Sequence, residues 1–141
     1  MKKAFAYILS LLVISLLAYY FWPEKSLDTF KKIDKILVIK HKRQLIVFSE
    51  GKELKSYKIS LGKQPIGAKE FEGDKKTPEG HYIINDKNPN SGYHLNLGIS
   101  YPNKGDLEHA RKLGKSPGGQ IKMHGLRNGL GFIGKFHRFI D

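Results

Sequence analysis

The sequence has 141 residues, enough for one small domain behind an N-terminal segment that lies outside it. Its 25 Lys and Arg outnumber 13 Asp and Glu, and the resulting net charge of +12 favours anionic partners such as lipid headgroups, cell-wall polymers or nucleic acid. The sequence contains no cysteine, which excludes disulfides, thiolate metal sites and a cysteine nucleophile within these residues.

The first 23 residues predict a membrane anchor. Two lysines precede an apolar and aromatic run of about 19 residues, 4–22, which is just long enough to cross a hydrocarbon core of about 30 Å. No small-x-small cleavage site precedes Pro23, so we predict an uncleaved single-pass signal anchor over residues 1–23, with a cleaved signal peptide as the alternative. The lysines are expected on the cytoplasmic side of the membrane. Residues 24–35 are expected to form a tether on the opposite side.

The segment after the tether predicts an antiparallel meander, because three strand-like runs are joined by short polar turns: 36–40, 44–49 and 54–61. A long irregular region then extends to Gly80. Such a region in a small domain is more often functional than idle, and we predict that it forms a wall or lid of a cleft.

Further along, residues 81–84 resume an extended run, residues 85–92 are polar and predicted to form a loop, and residues 93–100 alternate as a half-buried strand. Asp106 is predicted to cap a short helix that Gly114 closes. A last short strand is predicted at residues 121–124.

A histidine followed by glycine ends this last strand. The strand would fix the imidazole of His124, and Gly125 would let backbone and substrate approach closely, as a catalytic base requires. The alternative is a histidine with a purely structural role at a strand end. Tyr93 and Tyr101 are predicted to line a substrate groove, whereas His94 faces either this groove or solvent.

Four segments, read together, resemble the L,D-transpeptidase catalytic domain family, and within it the membrane-anchored murein L,D-transpeptidases of Gram-negative bacteria. The segments are S-L-G (60–62), G-D-K-K-T-P-E-G-H-Y-I-I (73–84), Y-H-L-N-L-G-I-S-Y-P-N (93–103) and I-K-M-H-G-L-R-N-G-L-G (121–131). Each is weak alone, but their order and spacing make the combination specific. The resemblance covers residues 36–141 and implies a mainly β, sandwich-like fold with short helices and a cleft.

The resemblance also implies acyl transfer through a cysteine thioester. A thiolate attacks the carbonyl between diaminopimelate and the terminal D-alanine of a peptidoglycan tetrapeptide, D-alanine leaves, and an acceptor amine resolves the thioester. His124 matches the family histidine that ionises the thiol, with Gly125 beside it. The residues expected to bind substrate are Tyr93, His94, Ser100, Tyr101 and His137.

The sequence departs from the family pattern at its end. By the family's spacing, the W-T-x-G-C segment would begin directly after Asp141, with the nucleophile about five residues further on. We therefore expect a C-terminally incomplete fold that lacks the nucleophile, the oxyanion-hole amides and the closing strand, and that is inactive as given. The expected partners are peptidoglycan stem peptides and the inner membrane, with the domain in the periplasm and a role in cell-wall organisation and cell shape. No cofactor, metal or nucleic acid is expected.

Two other functions stay open. One is a non-catalytic, membrane-tethered peptidoglycan-binding protein that uses the cleft and the positive surface. The other is a zinc-dependent wall peptidase with ligands from His81, His94, His124, His137 and nearby Asp residues, although no short motif such as H-E-x-x-H is present. Crosslinking, lipoprotein attachment and hydrolysis share one acyl-enzyme, so the sequence does not separate them.

Overall fold

The computed structural model describes residues 2–23, 26–28 and 30–139, without the side chains of residues 135 and 137–139. The chain divides into two compact units, one of residues Met1–Ile59 with Ile133–Asp141 and one of residues Ser60–Phe132. Each unit contains a three-stranded sheet. The predicted class, mainly β with short helices behind one apolar N-terminal helix, is confirmed.

The N-terminal helix α1 spans Lys2–Phe21. Its most apolar stretch of 18 residues has a mean hydropathy of 2.1, and none of its described side chains is buried. At a rise of about 1.5 Å per residue the helix is about 30 Å long, which matches the hydrocarbon core of a bilayer. By length and composition, α1 is a candidate membrane anchor.

The first sheet is the predicted antiparallel meander, in the order β1-β2-β3: Lys35–Ile39, Gln44–Ser49 and Lys52–Lys58. A 3₁₀ turn, Lys40–Lys42, joins the first two strands and ends at Arg43, which has a positive φ of 47°. The central strand β2 buries Ile46 and Val47 because its two neighbours flank it. The third strand begins two residues before the predicted start and ends three residues before the predicted end.

The second sheet has the antiparallel order β4-β5-β6: Ile84–Ser91, His94–Ile99 and Lys122–His124. The prediction of a loop at residues 85–92 is wrong, because this segment forms β4 and pairs with β5. Its polarity is compatible with an edge strand, since the ladder is made by backbone groups and the side chains meet water. Pro89 lies where the register shifts, as expected for proline in an edge strand.

The second helix, α2, spans Lys104–Lys112. The prediction that Asp106 caps it is wrong, because Asn103 is the N-cap. The Asn103 Oδ1 atom accepts a hydrogen bond from the Asp106 N–H at 3.1 Å, and Asp106 Oδ2 accepts one from the Asn103 N–H at 2.8 Å. Asp106 is therefore the N3 residue of a capping box. Asn and Asp both serve as N-caps, so the sequence alone does not show which of the two residues is the cap. Ala110 is fully buried on this helix, and Gly114 follows it with φ of 66°.

The irregular region before β4 is organised around the carboxylate of Asp74. This carboxylate accepts hydrogen bonds from the backbone N–H groups of Glu70 at 2.7 Å, Phe71 at 3.2 Å and Lys76 at 3.0 Å, and from the Lys69 ammonium at 2.9 Å. The Lys69 and Asp74 side chains are only 8% and 4% exposed. Burial alone would raise the pKa of Asp74, but the hydrogen bonds outweigh it and hold the pKa far below its usual range.

Further contacts connect this region to α2. The Glu70 carboxylate lies 2.6 Å from the Lys76 ammonium and 3.5 Å from His109 Nε2, and the hydrogen bond from Lys76 lowers the pKa of Glu70. The Tyr82 hydroxyl lies 3.1 Å from Asp106 Oδ2, near the N-terminus of the helix. Hydrogen bonds and ion pairs therefore hold this irregular region in a defined conformation.

Candidate active site

The histidine that the sequence singled out lies at the end of β6. His124 is paired with Asn96 on β5, and its imidazole contacts the ring of Tyr93 with centroids 4.6 Å apart and planes inclined by 51°. The imidazole is exposed at the surface. The β5–β6 ladder and the Tyr93 ring together hold it in place while leaving it open to a ligand.

One hydrogen bond favours a particular tautomer of the neutral imidazole. His124 Nδ1 lies 2.8 Å from the carbonyl oxygen of Gly125. Because a carbonyl oxygen only accepts hydrogen bonds, Nδ1 carries the proton, and the neutral ring then has its lone pair on Nε2. The atom of His124 that can take a proton from a nucleophile is therefore Nε2.

Gly125 lies against the turn between β4 and β5. A Cβ atom at this position would be 3.4 Å from the Tyr93 carbonyl oxygen and 3.6 Å from His94 Cβ, which is ordinary van der Waals contact. Glycine here keeps the space beside His124 open, and a larger side chain would fill it.

Sequence reasoning missed Asn128, which fastens the segment after His124 to the same turn. Its Oδ1 accepts a hydrogen bond from the His94 N–H at 2.8 Å, its Nδ2 donates to the Ser91 carbonyl at 3.1 Å, and its own N–H donates to the Gly92 carbonyl at 2.9 Å. The dipeptide Asn128-Gly129 is a turn signal, and Gly129 has φ of 87°. These partners lie more than 30 residues away in sequence, so no local pattern could reveal them.

A second missed feature is Asn96, which faces His124 across the β5–β6 ladder. Directly opposed residues of an antiparallel pair lie on the same face of the sheet, so the two side chains are neighbours. The Asn96 Oδ1 atom is shielded from solvent and has no hydrogen-bond donor among the residues that the structure describes.

An open cavity of about 420 Å³ lies beside this histidine. Its walls are His94, the segment 125–129 and Gly131. Three of these wall residues are glycines, which leave much of the lining to backbone atoms. His124 is not one of the lining residues, but its neighbour in sequence, Gly125, is.

Two of the expected substrate-binding residues lie at the other end of β5. Ser100 is four residues beyond Asn96, about 13 Å along an extended chain, and its Oγ accepts a hydrogen bond from the Ile83 N–H at 2.9 Å. Tyr101 is 6% exposed, and its hydroxyl donates to the Pro117 carbonyl at 3.0 Å. Burial raises the pKa of Tyr101.

The structure thus brings Tyr93, His94, His124 and Gly125 together, and it engages Ser100 and Tyr101 in contacts of their own. The side chain of His137 lies outside the described residues. Within residues 2–23, 26–28 and 30–139, no group of three or more His, Asp or Glu side chains is arranged to hold a metal ion.

The fold is mainly β, and an exposed strand-end histidine lies next in sequence to a residue that lines an open cavity. Residues 34–135 match the family model of the L,D-transpeptidase catalytic domain, YkuD. Two curated relatives, each named provisionally as L,D-transpeptidase YafK, come from Escherichia coli K12 and Escherichia coli O157:H7. Both are 30% identical over 112 residues, which cover 75% of this chain. The chain belongs to the L,D-transpeptidase catalytic domain family.

The aligned part is 44% of the length of each relative, so the chain spans less than half of the curated relatives it matches. No solved structure matches the chain.

Proposed function

We propose that this chain is part of a peptidoglycan L,D-transpeptidase that α1 holds in the inner membrane, with both β-sheets in the periplasm. Family membership and the apolar helix support this proposal. The observation that carries the chemistry is the hydrogen bond from His124 Nδ1 to the Gly125 carbonyl, which leaves Nε2 of this exposed residue as the base.

The proposed reaction uses that base to ionise a cysteine thiol. A free thiol has a pKa of about 8.5 and is mostly protonated at neutral pH, so His124 Nε2 takes its proton. The thiolate forms a bond to the carbonyl carbon between diaminopimelate and D-alanine, the C–N bond breaks, and the D-alanine amine leaves with the proton from the imidazolium. An acceptor amine then attacks the thioester, gives a proton to His124, and displaces the thiolate.

The 141 residues contain no cysteine, so in this proposal the thiol belongs to a segment outside them. These residues by themselves would bind stem peptides without releasing D-alanine. Tyr93 and His94, beside His124, are proposed to contact the stem peptide. Ser100, Tyr101 and His137 stay predicted substrate residues, and the contacts described above do not assign them that role.

The net charge of +12 fits a second candidate, a non-catalytic membrane-tethered protein that binds peptidoglycan. The experiment is a sacculus pull-down combined with a D-alanine release assay on tetrapeptide, using the product of the complete coding frame. A transpeptidase binds, releases D-alanine, and loses that release on His124→Ala. A binding protein is retained by sacculi but releases nothing, and a protein that does neither refutes both candidates.

A further inference from the structure

The cavity beside His124 contains one positively charged side chain, that of Arg127. This residue is exposed and lines the cavity, whose lining includes no Asp or Glu. Among the described residues, no carboxylate forms an ion pair with its guanidinium, whereas Lys69, Lys76 and Lys122 each have an acidic partner within 4.0 Å. Arg127 is therefore a cation available to a ligand.

The backbone that carries this arginine is held in place by hydrogen bonds of its own carbonyl and of the next residue. The Arg127 carbonyl accepts a hydrogen bond from the Leu130 N–H at 3.0 Å, which closes a turn. The next residue, Asn128, makes three hydrogen bonds to the β4–β5 turn. Because the backbone is already fixed, binding by Arg127 does not require the backbone to become ordered, so the position suits recognition.

We propose that the cavity is a carboxylate-binding subsite and that Arg127 binds a carboxylate of the peptide that is cleaved at His124. The inference rests on the proposed function and adds a specificity residue to it. A guanidinium presents two parallel N–H donors that match the two oxygens of a carboxylate, which a lysine cannot reproduce. In the tetrapeptide, only the amide nitrogen and one carbon separate the D-alanine carboxylate from the scissile carbonyl. This short spacing fits a carboxylate site in a cavity that is lined by Gly125, the residue after the base, and by Arg127.

The test measures binding by the 141-residue chain in detergent, because binding needs no cysteine. The probes are a synthetic stem tetrapeptide, the same peptide with a C-terminal amide, and one amidated at its other carboxylates. The variants are Arg127→Gln and Arg127→Lys, with Arg111→Gln on the exposed surface of α2 as the matched control. We expect Arg127→Gln to weaken binding of the free-acid peptide about tenfold or more, with partial recovery in Arg127→Lys and no change in Arg111→Gln.

The amidated probes identify the carboxylate. Amidation of the carboxylate that Arg127 binds should weaken binding to wild type and leave binding to Arg127→Gln unchanged. The amidated peptide that shows this pattern therefore identifies the carboxylate. Equal binding of the free-acid tetrapeptide by wild type and Arg127→Gln overturns the subsite while leaving the proposed function in place. Failure of the wild-type chain to bind any tetrapeptide overturns both. Circular dichroism of each variant separates a lost contact from a lost fold.

Discussion

The ion pair of Asp74 and Lys69 predicts a large loss of stability when one partner is removed. In Asp74→Asn the Lys69 ammonium, 8% exposed, keeps its charge without a counterion, and the amide NH₂ group faces N–H donors that the carboxylate had accepted. Breaking a buried pair in this way costs about 3–5 kcal/mol. That is a large fraction of the roughly 5–15 kcal/mol that stabilises an ordinary domain. For a unit of this size we expect the Tm to fall by more than about 10 °C.

The assay is thermal and urea unfolding of the full chain in detergent, followed by the near-UV signal of tyrosines. Glu108→Gln, an exposed acid on α2, is the control and should change stability by less than about 0.5 kcal/mol. The double variant Asp74→Asn/Lys69→Met removes the buried ammonium as well and should recover part of the loss. A cost below about 1 kcal/mol for Asp74→Asn, with no coupling to Lys69, would refute this account of the irregular region.

Three further predictions concern pH and helix capping. Because the pKa of Asp74 is lowered in the folded protein, the stabilisation that its carboxylate provides is present above the ordinary pKa of 3.8 and is lost as the pH falls further. The free energy of unfolding, measured from pH 6 to pH 2, should therefore drop more steeply in wild type than in Asp74→Asn. Burial and then the Asp106 carboxylate raise the pKa of Tyr82, so the stabilisation that the protonated phenol provides is present below pH 10 and is lost above it. Above pH 10 the free energy of unfolding should therefore fall less steeply with pH in Tyr82→Phe than in wild type. The same slope in both proteins would count against the Tyr82–Asp106 contact. Asn103→Ala removes half of the capping box and should cost about 1 kcal/mol in urea unfolding, whereas Lys104→Ala should cost much less.

The sequence predicted the elements with strong patterns. Strand β2 has the predicted bounds because a continuous run of apolar residues, 45–48, stands between clear turn signals. Helix α1 follows from a long apolar run, and the strand-end position of His124 follows from the run that precedes it. Those patterns are local, and a reader of the sequence has all the information they need.

The missed features depend on partners that are distant in sequence. Strand β4 is polar because it lies at a sheet edge, and only its pairing with β5 distinguishes it from a loop. Asn128 and Asn96 acquire their roles from the turn and strand opposite them, and Asp74 from three backbone N–H groups that converge on it. A periodic pattern in the sequence does not show which distant groups a side chain will contact.

The central claim is that His124 serves a cysteine in acyl transfer on stem peptides. Its most direct test is D-alanine release from tetrapeptide by the product of the complete coding frame, together with the intact mass of that product and a parallel assay of the 141 residues alone. We predict release by a cysteine-containing product, a loss of about 100-fold or more in His124→Ala, and no release by the 141 residues. Release by the cysteine-free chain, or full release by His124→Ala, would contradict the account.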